Sequence, residues 1–291
     1  MIAASTLLAL ALCSPGSPAQ TPEHAMNQTQ LTQFTTLSTR WKVAYECHGS
    51  GSSAIVLVHG WASDRKSWEL VSEPLSKTHK LLAVDLLGHG ESDKPATEYS
   101  MELFARGVLC ALDAAGIKSA VFAGHSNGVP VIRQILRLAP ERVRGLVFID
   151  GPLAPLPEGV AQWMRKSLEA PDYDGLLEML ISQMPRGRVS DQQFDKLCAD
   201  QRAMPRHVML GGLAAMTDPA IWNEDLIRVP LAVLAAGKGH WNSDQAAVLQ
   251  RLAPGTTPLV WDDVSHFLLL EEPERVARAI EDLTRRAPAN D

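Results

Sequence analysis

The chain has 291 residues, 46% of them apolar, and a formal net charge of −6. That is enough sequence for one large buried core with an inserted lid, and the mild acidity, with no basic stripe, argues against nucleic acid or an anionic membrane surface as a partner. Four cysteines without a CxxC pair or a Cys/His cluster exclude a disulfide scaffold and give no sign of zinc.

Residues 2–12 form an apolar stretch too short to span a bilayer. Ser17-Pro18-Ala19 then offers small residues where a signal peptidase reads them. Residues 1–19 therefore read as a signal peptide that lacks a basic n-region, and 20–40 as an N-terminal arm. The expected location is secreted or periplasmic, with a cytoplasmic one as the alternative, and the mature chain is expected to hold no integral membrane segment. Removing the leader takes Cys13 with it. Cys47, Cys110 and Cys198 then remain, an odd set that allows at most one disulfide.

From about residue 41 strands and helices alternate. Val43–Cys47, Ala54–Val58, Leu81–Asp85, Ala120–Ala123, Leu146–Ile149, Leu231–Ala235 and Pro258–Trp261 are short, apolar and β-prone. Helical patterns fall near 65–77, 100–115, 128–139, 242–252 and 272–286. Such alternation predicts an α/β fold, a mostly parallel doubly wound sheet with helices on both faces. The rhythm breaks over 152–228, where prolines punctuate short helical stretches and six of the nine methionines lie: Met164, Met179, Met184, Met204, Met209 and Met216. This segment reads as an inserted helical cap between a first core part, 41–151, and a second, 229–291. Trp163, Met164 and Trp222 are its candidates for a substrate pocket. The alternative is that the methionines pack the cap's own core.

Gly124-His125-Ser126-Asn127-Gly128 joins the strand run 120–123 to the helix after it. A serine on so sharp a strand-to-helix turn needs small neighbours, and its hydroxyl is pushed into the open at a helix N-terminus. Ser126 is the candidate nucleophile. It needs a base, and His266, in Ser265-His266-Phe267 after the last strand, lies on a loop at the same sheet edge. His59, His89 and His125 sit beside tight turns and read as loop-shaping residues. The acid that orients the histidine is Asp150, which ends the strand 146–149 and gives the order Ser, Asp, His. The alternative acid is Asp244, beyond the next strand, which also reads as a helix N-cap. The backbone N–H groups of Asn127 and of Trp61, in His59-Gly60-Trp61, are the candidate oxyanion donors.

These motifs, together with Asp85-Leu86-Leu87-Gly88-His89-Gly90-Glu91-Ser92, resemble the α/β-hydrolase family, in its members with a helical cap, from about residue 40 to 287. The resemblance implies a serine nucleophile, a histidine base, and an oxyanion hole after His-Gly. It also implies a structural role for Asp85. One departure is visible. Most members carry their acid after the strand that follows the cap, where this chain has Lys238-Gly239-His240. A minority, among relatives of the haloalkane dehalogenases, place it before the cap, as at Asp150. Dehalogenases and epoxide hydrolases of this fold use an aspartate nucleophile, which Ser126 argues against. The expected activity is hydrolysis of a small, fairly apolar carboxylic ester or lactone through an acyl-enzyme, with no metal or organic cofactor. The alternatives are a C–C bond or amide hydrolase of the same fold, or a ligand-binding receptor with little turnover. Oligomeric state is left open.

Overall fold

The computed structural model describes residues 31–182, 187–239 and 241–288. The expected leader, Met184 and His240 lie outside the described residues.

An eight-stranded sheet forms the centre, in the order β1-β2-β4-β3-β5-β6-β7-β8. Its strands are β1 (Gln33–Leu37), β2 (Trp41–His48), β3 (Ala54–Val58), β4 (Lys80–Val84), β5 (Ala120–His125), β6 (Val143–Ile149), β7 (Leu231–Ala236) and β8 (Leu259–Trp261). β1–β2 and β2–β4 pair antiparallel, and every pair from β4 to β8 is parallel. The expected strands therefore stand within a few residues of their predicted bounds. β1 is a correction, because part of the arm assigned to 20–40 is an edge strand. Its sequence, Gln-Phe-Thr-Thr-Leu, buries only Leu37 fully, so its hydrophobic signal is faint, and pairing with β2 is what holds it.

The central strands are buried along their whole length, as expected of strands covered on both faces. One face carries α2 (Met101–Ala114), α3 (Gly128–Leu138) and α8 (Ser243–Leu252), whose apolar residues join Val56, Val58, Phe122 and Phe148 in one core cluster. The other carries α1 (Glu69–Leu75), α9 (Leu268–Glu271) and α10 (Pro273–Arg286), packed on Ile55, Leu57, Val121 and Val147. Local chemistry sets these boundaries. Ser100 Oγ accepts from Leu103 N–H at 3.1 Å to start α2. Pro273 occupies the first turn of α10, whose Val276, Ala277, Ile280 and Leu283 form the buried stripe.

The insert between β6 and β7 holds α4 (Glu158–Glu169), α5 (Tyr173–Ser182), α6 (Asp191–Arg202) and α7 (Arg206–Thr217), with no strand among its described residues. Ser190 and Gln193 form a reciprocal capping box that begins α6. Met204, Met209 and Met216 are buried in the cluster that also holds Val56, Phe122 and Phe148 of the sheet. Among the described residues, Cys47, Cys110 and Cys198 are not joined to one another by a disulfide.

Candidate active site

The parallel register sets Val58 beside Gly124, His125 beside Ile149, and Ile149 beside Leu234. The segments leaving β3, β5, β6 and β7 consequently emerge together at one edge, the usual place for a site in such sheets. Ser126 stands there at the first position after β5. Its φ of 54° is left-handed, and its N–H donates to Ile149 O at 2.9 Å, so the turn is tied to the neighbouring strand. The turn closes tightly: a Cβ on Gly124 would lie 2.5 Å from Gly128 O, and one on Gly128 would lie 2.3 Å from Val58 O. Only glycine fits at either position.

Asp150 leaves β6 with a φ of 40°. Its carboxylate is buried, with 1% of the side chain exposed, and Oδ2 accepts from His266 Nδ1 at 2.6 Å. Oδ1 accepts from Ala236 N–H at 3.0 Å. Since the carboxylate can only accept, Nδ1 carries the proton of the neutral imidazole and Nε2 is its basic nitrogen. His266 is the more open partner, with 22% of its side chain exposed. His125, the residue before Ser126, lies beside it: His125 Nε2 is 2.9 Å from His266 O, and the two ring centroids are 4.7 Å apart.

Asp244 sits elsewhere. It is exposed in the first turn of α8, and the N-cap is Asn242, whose Oδ1 accepts from Asp244 N–H and Gln245 N–H at 3.0 Å each. This corrects the reading of Asp244 as an N-cap. The loop after β7 touches the Asp150 carboxylate in another way, for a Cβ on Gly239 would lie 2.2 Å from Asp150 Oδ2.

The His59-Gly60-Trp61 loop comes up against the serine. A Cβ on Gly60 would be 2.8 Å from Ser126 Cβ and 3.3 Å from its Oγ. His59 is fully buried, and burial holds its pKa below the usual histidine range. Its Nε2 accepts from Leu86 N–H at 3.0 Å, so Nδ1 is the protonated nitrogen and donates to Gly60 O at 2.7 Å. This neutral ring shapes the loop, as expected. His89 lies beside it, its ring tilted with centroids 5.2 Å apart, and burial first, then His59, pushes its pKa down to about 3. The Trp61 indole lies under the cap, where a Cβ on Gly212 of α7 would be 2.6 Å from its Nε1. Asn127 is buried behind Ser126.

The remaining pocket candidates are placed less tellingly. Trp163 is 46% exposed on α4, Met164 is half-buried against the main core, and Trp222 is buried with its indole N–H on Met216 O at 3.1 Å. Asp85 is fully buried beneath the site's edge. It accepts from Arg65 N–H at 2.7 Å and Glu91 N–H at 2.8 Å, and ion-pairs with the Arg65 guanidinium, which also meets Glu46 at 2.9 Å. That is a structural network, in line with the role expected of Asp85. Sequence reading overlooked Arg65 and Glu271. Glu271 accepts from Ser265 N–H at 3.1 Å and from Arg188 N–H at 3.1 Å, bracing the His266 loop, but in sequence it is one acid within a run of Leu and Glu. Among the described residues no group of three or more His, Cys, Asp or Glu could hold a metal ion, and no helix is long and apolar enough to cross a membrane.

A serine on a sharp strand-to-helix turn, a strand-end carboxylate on an imidazole and a His-Gly loop on one sheet edge match the architecture of a hydrolase fold. Residues 55–279 match the alpha/beta hydrolase family, and the chain belongs to it. Among curated proteins, the chain is 29% identical over 244 residues to a dihydrolipoyllysine-residue acetyltransferase component of an acetoin cleaving system from Pseudomonas putida. That match covers 81% of this chain and 64% of the relative. An uncharacterized protein of Mycobacterium tuberculosis is 35% identical over 110 residues, 38% of this chain and 32% of the relative. The chain thus spans under two thirds of these relatives' length. Among solved structures, an esterase from Thermogutta terrifontis superposes with a TM-score of 0.78 at 22% identity, over 88% of this chain and 98% of that one. Est816, described as an N-acyl homoserine lactone degrading enzyme, superposes with a TM-score of 0.70 at 27% identity, over 86% and 99%.

Proposed function

We propose that this protein is a serine hydrolase that cleaves a small, fairly apolar carboxylic ester or lactone through an acyl-enzyme. The observation that carries the reading is the 2.6 Å bond from His266 Nδ1 to buried Asp150, made at the sheet edge where Ser126 stands. Ser126 Oγ attacks the ester carbonyl while His266 Nε2 takes its proton, and the Asp150 carboxylate stabilises the imidazolium that forms. The N–H groups of Trp61 and Asn127 hold the oxyanion. Collapse expels the alkoxide, which takes the proton from His266. Water then attacks the acyl group with the same histidine as base, releasing the acid and restoring Ser126. Similarity to Est816, at 27% identity, favours the lactone half of the substrate class.

The test uses a fluorophosphonate, which reports on the nucleophile without a guess at the substrate. Labelling at Ser126, located by mass spectrometry and lost in His266→Ala, is the expected result. A folded sample left unlabelled would sink the reading and favour a binding protein.

A further inference from the structure

The helix that begins at the Ser126 turn carries two arginines one turn apart, Arg133 and Arg137. Arg133 lies on the face of α3 that packs inward and is only 4% exposed. Its Nη1 donates to Leu153 O at 3.3 Å and its Nη2 to Asn223 O at 2.9 Å. Leu153 lies where the chain leaves β6 for the cap, and Asn223 where it returns towards β7. One guanidinium therefore holds both roots of the insert. Arg137 extends the grip, donating to Ile221 O and Asn223 O at 2.8 Å each and to Asp225 Oδ2 at 2.7 Å. From the other side, Gln245 of α8 accepts from Leu153 N–H at 2.8 Å.

Burying a guanidinium against neutral carbonyls is costly, and an apolar side chain would fill the same position on α3 without that cost. Burial, with Arg137 near by, lowers the Arg133 pKa to about 10, so the charge persists at neutral pH. What arginine supplies, and an apolar residue does not, is a rigid fork of donors that reaches two chain segments at once. The far side of the cap is seated as well, since Gly212 of α7 lies on the Trp61 indole and a Cβ on Gly211 would meet the Tyr99 ring at 2.4 Å.

We infer that Arg133, seconded by Arg137, is a positioning residue that clamps both roots of the cap to the Ser126 helix and so fixes the stance of the cap over the substrate site. The kinetic part of this rests on Ser126 being the nucleophile. The clamp acts on how substrate is held, so its loss shows in KM before kcat.

The experiment compares the full-length protein with Arg133→Met and Arg133→Lys, by hydrogen–deuterium exchange and by kinetics on p-nitrophenyl butyrate. In Arg133→Met, amides near 153–160 and 217–226 are expected to exchange about ten-fold faster while those of β3, β5 and β6 keep the wild-type rate. KM rises about ten-fold with kcat within about two-fold, and lysine, with one donor group in place of the fork, recovers part of both changes. Wild-type exchange at the cap roots in Arg133→Met overturns the proposal. So does faster exchange through the central strands, which would make Arg133 a general stability residue, and so does a fall in kcat at constant KM. Should fluorophosphonate fail to label wild-type Ser126, the nucleophile reading fails alone, and the exchange comparison still decides the clamp.

Discussion

Asp150→Asn perturbs the site by one atom, and its effect follows from two hydrogen bonds. The carboxylate takes Ala236 N–H on Oδ1 at 3.0 Å and His266 Nδ1 on Oδ2 at 2.6 Å. An asparagine has one acceptor oxygen. A backbone N–H can only donate, so Ala236 claims that oxygen and turns the amide NH2 towards Nδ1. The imidazole accommodates this by moving its proton to Nε2, where it can no longer take one from Ser126. Triads disabled through the wrong tautomer lose ~10⁴ in kcat, which at ~1.36 kcal/mol per tenfold is a barrier about 5.4 kcal/mol higher. Initial rates on p-nitrophenyl acetate measure it. A thermal midpoint close to wild type shows that the fold survives, since the Ala236 bond is kept. Asp244→Asn, at an exposed position on α8, is the companion variant and should leave the rate within about two-fold, as surface changes away from a site usually do. An Asp150→Asn enzyme that keeps more than about a tenth of wild-type kcat would refute the tautomer argument. A crippled Asp244→Asn would move the acid.

Two further outcomes concern stability. The left-handed φ of 54° at Ser126 strains any residue with a Cβ, so Ser126→Gly should be about 1 kcal/mol more stable than Ser126→Ala in urea; equal stability would mean that the turn stores no strain. His89 stays neutral in the fold down to about pH 3, whereas an unfolded histidine takes its proton near pH 6.5. Between those values the unfolded chain binds the extra proton, so the stability is complete above pH 6.5 and is lost as pH falls towards 3. By pH 5 the loss from this residue is about 2 kcal/mol. His59 acts in the same direction. Urea midpoints at pH 7 and pH 5 should converge in His89→Gln relative to wild type, and an undiminished gap would exclude a buried neutral His89.

Much of this molecule is written in local pattern, and what is not has a physical reason. The buried strands are short β-prone runs, and β3 falls on the predicted residues because Ala54–Val58 is apolar throughout. Helices α2, α6 and α8 carry side-chain caps, and α10 an apolar stripe. Ser126, His266 and Asp150 are legible because each stands at a strand end or strand-following loop, and strand order alone brings those positions to one edge. β1 is silent because an edge strand needs little hydrophobicity, and its partner supplies the hydrogen bonds. Arg133 is hidden for the opposite reason. In sequence it is one charged residue within an amphipathic helix, and the partners that give it a role, Leu153 and Asn223, lie 20 and 90 residues away. Glu271 is likewise visible only once Ser265 and Arg188 converge on it. Such long-range convergence leaves no periodicity to detect.

The position of the proposed acid before the cap, rather than after it, follows from the sheet. β6 and β7 are parallel neighbours, with Ile149 level with Leu234, so the residues leaving them emerge side by side. A carboxylate from either strand end can reach an imidazole arriving after β8. In this chain Asp150 bends across from β6 with a left-handed φ, its N–H on Leu234 O at 2.8 Å and its Oδ1 on Ala236 N–H. It thereby occupies the ground in front of β7. The β7 loop must then leave that ground empty, and it does so with glycine: a side chain at Gly239 would start 2.2 Å from Asp150 Oδ2. The small residue in the Lys238-Gly239 loop is thus the counterpart of the aspartate on β6. Neither strand end can be understood without the other, since a carboxylate at one requires space at its neighbour.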